Sequence, residues 1–491
     1  MAVQVCSSMA STMVSENWCL KAALILLLVS FSTADHSRLF ESTEENIRKG
    51  VFFSPEMELG PGDVAFKYYY DTDFPRNHIA LKSFNAEVVD ELGKSVPLHD
   101  VYLHHTYVLS YYQRKGSYIP DVLETEILPS EPDFLYKRND GVCQDSVFGQ
   151  FIGLASEMRG TPTNIPDPYG IELNNPAEVP DGYEQKWFLN AHIIDTRGGV
   201  DKVGCTECRC DLYNVTSDQF GEPLSPDYYG GLKCCYAHTR CKVKEGFEAP
   251  RRAYRMKYTL TWADWDSSIV PARIYLLDIT DTMKIVRDSN GVVQTLHDCL
   301  VEYTSEACEE KDLTYGVCLA TKRTRIMLPK GGYLISGLTH MHIGSISQTL
   351  YGEDGRVICQ TLPIYGDGKE AGNEAGYVVG TTPCYPKPGS VVIKEGEFIT
   401  HEMVYSGARR LTGTMGLFNI IVADLEEAEH EPNPRYPTQV ILEHMNNLVN
   451  SGSPVIGLLG MVVALLAVAV AVLVGVLYRM KSASRDGYQS L

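Results

Sequence analysis

The stretch "GYLISGLTHMHIG", Gly332 to Gly344, decides the first reading of this chain. It is a short apolar run bounded by glycines, which is the pattern of a strand rather than of a helix. On a strand, residues two apart face the same side, so His340 and His342 present both imidazoles to one face. Two rings that close either hydrogen-bond within a core or converge on an ion, and both readings stay open on this motif alone.

Further runs of the same kind lie on either side: "AFKYYYDTDF" (65–74), "VYLHHTYVLSYY" (101–112), "KWFLNAHIIDT" (186–196), "RMKYTLTWADW" (255–265), "ARIYLLDIT" (272–280) and "LFNIIVAD" (417–424). Clusters of Gly, Pro, Asn and Asp separate them, and few segments keep a 3.6-residue apolar period. This spacing predicts an all-β chain of two tandem jelly-roll-like antiparallel β-sandwich domains. No internal repeat points to a propeller or solenoid.

The chain has 491 residues and a net charge of −19, with 44% hydrophobic and 21% charged residues. The acidic balance excludes a nucleic-acid partner, which needs a basic face. Residues 20–34, "LKAALILLLVSFSTA", place one lysine before a short apolar core and small residues at its end, and read as a signal peptide ending at 34. Residues 454–478 are uncharged and exceed the roughly 20 residues a bilayer needs. Arg479, Lys481 and Arg485 follow, placing the C-terminus in the cytoplasm. The expectation is a single-pass type I membrane protein with an extracellular or lumenal body. Its tail, 479–491, ends "YQSL", which reads either as a site for a sorting adaptor or as a plain polar tail.

Between these ends the expected divisions are an N-terminal sandwich at 35–195, a Cys-rich insertion at 196–246, a C-terminal sandwich at 247–424 and a stalk at 425–453. Cys6 and Cys19 leave with the leader, and twelve cysteines remain in an oxidising space. Six of these lie in the insertion: Cys205, Cys208, Cys210, Cys234, Cys235 and Cys241. Disulfides are the favoured reading, because a zinc cluster would need thiolates that oxidation removes. Asn214-Val215-Thr216 is a glycosylation sequon in the same space.

The remaining histidines are weighed against packing. His104 and His105 are adjacent, and regular strand geometry sends them to opposite faces; a bulge is needed to bring both rings to one site. His192 is a lone imidazole in an apolar strand. Met415, in "RLTGTMGLFNIIVAD", is filler unless it joins His340 and His342, when two imidazoles and a thioether would form a soft set suited to copper. No cupin pattern fits, because Ser345 to Thr349 contains no carboxylate.

The order HH, H, HxH, M resembles the copper type II, ascorbate-dependent monooxygenases, the family of peptidylglycine α-hydroxylating and dopamine β-monooxygenase. "GTPTNIPDPYGIEL" (160–173) is similar to that family's proline-rich lead-in, and "TGTMGLFNIIVAD" to its Met-bearing last strand. The resemblance implies two copper ions: an electron-transfer ion on His104, His105 and His192, and an oxygen-binding ion on His340, His342 and Met415. Ascorbate would be the reductant, and O2 and a small molecule the substrates. The arginine that anchors a substrate carboxylate in the peptide-hydroxylating enzymes is replaced by Leu338, and Leu417, Asn419 and Gly416 also depart from the pattern. A peptidyl-glycine substrate is therefore not expected, and an apolar or neutral one is. Residues 350–391, "LYGEDGRVICQTLPIYGDGKEAGNEAGYVVGTTPCYPKPGSV", resemble the plant stress up-regulated nodulin-like proteins. The competing function is a non-catalytic surface protein for binding or stress-related interaction on the same fold.

Overall fold

Valine, leucine, threonine and tyrosine fill Val101–Arg114, and such side chains pack well on a pleated surface. In the computed structural model this strand pairs antiparallel with Tyr183–Asp195 along its whole length. Val64–Tyr69 flanks the second of these, completing the centre of a six-stranded sheet. The structure describes residues 47–424 apart from 125–128, 130–131, 137–142, 144–150, 288–292 and 310–317. The leader, stalk, membrane segment and YQSL tail expected from the sequence lie outside the described residues. Among the described residues no helix is long and apolar enough to cross a membrane.

Among the described residues the chain is all-β, and helix is confined to short turns such as Lys202–Thr206 and Cys210–Tyr213. A ten-stranded sheet faces the core with Leu411–Ala423, buried along its entire length, between Val270–Asp278 and Gly332–Met341. A four-stranded sheet carries Phe398–Ser406 between Leu319–Met327 and Ser345–Tyr351. Among the described strands pairing is antiparallel except for a short parallel contact between Val270–Asp278 and Tyr169–Leu173.

That contact joins strands from the two halves of the sequence, so the division expected at residue 247 is not a division of the sheet. The strand Arg252–Asp264, expected to open the second sandwich, instead pairs with Ile79–Asp90 and Arg48–Phe53. Its alternation explains this. Tyr254, Met256, Tyr258 and Leu260 are buried on one face and enter the same core as Phe84, Ala86 and Val88. In that core Trp187 stacks on Phe74 at 3.8 Å and donates to Asn174 Oδ1 at 2.9 Å.

All twelve body cysteines form disulfides. Cys205–Cys241, Cys208–Cys235 and Cys210–Cys234 staple the 196–246 segment internally, which excludes zinc there. Cys143–Cys299 links positions 156 residues apart. Asn214 is exposed at the end of Cys210–Tyr213.

Asp278 closes one end of this framework. Its carboxylate accepts from the Thr280 and Val301 N–H groups, both at 2.8 Å, and burial pushes its pKa up to about 6. The folded chain thus retains a proton that the unfolded chain, with an ordinary aspartate pKa of 3.8, has released. The associated stability is present below about pH 4 and is lost as pH rises through about 6, a change on the order of 3 kcal/mol. Asp278→Asn should therefore gain on wild type by about that amount between pH 4 and 7 in paired unfolding titrations; a pH-independent difference would contradict this assignment.

Candidate metal centre

The adjacent pair His104-His105 would be split across a regular strand. The register between Val101–Arg114 and Tyr183–Asp195 instead shifts at this point. His105 lies opposite His192, the next pair is Leu103 with Ile193, and His104 is the extra residue between them. A bulge of this kind re-aims a side chain. It brings three imidazoles together: ring centroids are 4.6 Å apart for His104–His192, 4.7 Å for His105–His192 and 5.3 Å for His104–His105. One nitrogen from each ring lies within 4.8 Å of the other two.

His340 and His342 come from the end of Gly332–Met341 in the ten-stranded sheet, and their rings lie 4.8 Å apart. His340 is opposite Leu417 and Met341 opposite Gly416, so Met415 falls on the face that carries both histidines. The Tyr405 hydroxyl accepts from the His342 N–H at 3.0 Å and donates to the Met415 carbonyl at 2.7 Å, locking the two backbones together. All six residues expected from the sequence are thus brought to one region. One feature was not expected: the two sets touch, with the His104 ring 5.0 Å from that of His342.

Hydrogen bonds behind the rings fix their tautomers. The Cys235 carbonyl lies 2.8 Å from His192 Nε2, and a carbonyl only accepts, so that nitrogen carries the proton. Asn190 Oδ1 lies 3.0 Å from His105 Nδ1, and the same amide donates to the Lys67 carbonyl, which orients its oxygen to the ring. Glu157 Oε1, fully buried, lies 2.8 Å from His340 Nδ1. His342 is bonded to the backbone of Gly413. The nitrogens left over face each other: His105 Nε2 and His192 Nδ1 at 3.0 Å, and His340 Nε2 and His342 Nε2 at 3.0 Å.

Two imidazole nitrogens at that distance either share a proton in a hydrogen bond or bind a common cation. Burial holds His104, His192 and His342 well below the ordinary imidazole range and His105 at about 4, with neighbouring rings adding to the effect for His104 and His342. His104 Nδ1 is buried with no hydrogen-bond partner, while its Nε2 sits 3.4 Å from Cys208 Sγ. Neutral imidazoles backed by oxygen acceptors are the form in which histidine ligates a metal. The donor set, five imidazoles with a thioether on the same face, fits copper better than magnesium or calcium, which require oxygen ligands.

Beside the centre lies a cavity of about 440 Å³, lined by His105, His340 and Met415 and by apolar side chains including Phe66, Leu154 and Leu417. Leu338, at the position of the missing arginine, is buried opposite Asn419 and supplies no charge.

Over residues 45–425 the sequence matches the model of the family described as stress up-regulated Nod 19. The chain belongs to that family. No curated protein matches the sequence. Among solved structures it is similar to PNGF-II, at 7% identity and TM-score 0.22, over 80% of this chain and 68% of that one. It is also similar to the ANXUR2 extracellular domain from Arabidopsis thaliana, at 10% identity and TM-score 0.16, over 77% and 91% of the two chains. At these scores neither likeness bears on function.

For this stress up-regulated Nod 19 protein, sequence reasoning missed the residues behind the rings. Glu157 sits in the turn Ser156–Arg159 and has no motif of its own. The turn is clamped in place: Arg159 pairs with buried Glu374 at 3.0 Å, and the Gly160 N–H donates to the Val379 carbonyl at 2.9 Å. A Cβ on Gly160 would come within 2.6 Å of that carbonyl oxygen, so the close approach requires glycine. With copper held by these rings, Glu157→Ala would weaken its affinity by roughly 10–100-fold, and Glu157→Gln by less, because the amide oxygen still accepts from Nδ1. Competition titration against a chromogenic copper chelator checks this, and equal affinities in all three proteins would contradict it.

Proposed function

We propose that the histidine cluster is a copper centre and that the protein is an oxidoreductase related in chemistry to the copper type II monooxygenases, acting on a small apolar or neutral substrate. The single observation that carries this reading is the facing of imidazole nitrogens at 3.0 Å in two buried pairs, each pair backed by oxygen acceptors. Copper bound there would supply one-electron chemistry and reaction with O2. The protein's part is positional. Glu157 and Asn190 hold the rings of His340 and His105, and the Cys235 carbonyl holds His192. Tyr405 keeps Met415 in register with His342, and the thioether favours the monovalent ion. The adjacent cavity falls in the size range of small-molecule sites, and its lining is mainly apolar, with Asp218, Lys233 and Glu302 as its charged residues. A type I membrane topology and an oxidising compartment accord with this reading, since the six disulfides require such a space. Ascorbate is the proposed reductant.

The test is metal content and oxygen uptake of the purified full-length chain. After dialysis against copper, the wild type should retain the ion and consume O2 when ascorbate is supplied. His340→Ala and Met415→Ala should retain less copper and lose ascorbate-dependent uptake. A wild-type chain that holds no copper, or variants with unchanged copper content, would overturn the reading and leave a binding protein.

A further inference from the structure

The copper type II resemblance implies two separate ions, one for each ligand set. The packing in this chain differs. His104 stands between the sets: its ring is 4.6 Å from His192 on one side and 5.0 Å from His342 on the other. The second distance is comparable to the 4.8 Å between His340 and His342, which face each other across a shared gap. His104 is fully buried, and its Nδ1 is the one ring nitrogen of the cluster left buried without a partner among the described residues. No side chain is interposed between the rings of His104 and His342 in edge-on contact. The bulge that produces this arrangement belongs to the six-stranded sheet, and His342 to the end of a strand in the other, so the two sheets meet at the imidazoles.

We propose that the five histidines form one continuous two-copper centre, with His105–His192 and His340–His342 as its two ends and the ring of His104 standing between them. This rests on the copper reading above. The consequence is physical proximity: two cupric ions held this way interact magnetically, whereas ions held at separate sites behave as independent spins. A second consequence concerns charge. Glu157 is the carboxylate bonded to the cluster, and the other donors named here are neutral. Two divalent ions are therefore poorly compensated in a buried site, and the monovalent pair is favoured.

The experiment is electron paramagnetic resonance on the full-length chain loaded with copper, oxidised with ferricyanide, and compared with total copper released by acid. The expected result is two coppers per chain, with a half-field transition and a spin intensity in the main signal well below the copper content. His192→Ala should reduce the content to one copper per chain and restore a full-intensity, isolated signal. The half-field transition separates coupling from incomplete oxidation, because a reduced copper gives none. Two coppers with full, independent intensity would overturn the shared centre while leaving the copper reading intact. One copper per wild-type chain would overturn it as well. A chain that binds no copper would overturn both.

Discussion

A ring nitrogen of neutral imidazole carries either a proton or a lone pair, and the group on the far side of the ring decides which. That constraint governs the centre of this protein. The oxygens of Cys235, Asn190 and Glu157 take the outer protons of His192, His105 and His340. What faces inward is a set of closely spaced ring nitrogens in a volume where burial disfavours the charged form of His104, His105, His192 and His342. The packing of two sheets, the disulfides of the 196–246 segment and the clamped Ser156–Arg159 turn all serve to hold these acceptors behind the rings. Cys235, for example, offers its carbonyl from within the stapled segment, where its sulfur is bonded to Cys208.

The strand pattern was legible because alternation and β-branched composition are local properties. Four of the six candidate residues were singled out for a different reason: adjacency in "HH" and spacing in "HMH" state geometric requirements. A metal role for His104 and His105 demanded a bulge, and the register shift at His192 supplies one. Met415 could be chosen only through a family resemblance, because a single methionine in an apolar strand carries no signal; its place on the face of His340 and His342 follows from the strand register.

The sequence did not reveal which sheet a strand joins. Arg252–Asp264 follows the Cys-rich segment in the chain yet pairs with N-terminal strands, because hydrogen-bond partners are set by tertiary packing rather than by order. The contact between His104 and His342 was hidden for the same reason: it depends on the approach of two sheets whose strands lie far apart in sequence. Glu157 was also hidden. A carboxylate in "GLASEMRG" reads as a surface residue until Arg159, Glu374 and Gly160 are seen to bury the turn.

Diffraction at the copper absorption edge, on crystals of the copper-loaded full-length chain, tests the central claim most directly. The account predicts anomalous density between His105 Nε2 and His192 Nδ1 and between His340 Nε2 and His342 Nε2. Rings rotated apart and bonded to water, with no anomalous density at the cluster, would contradict it.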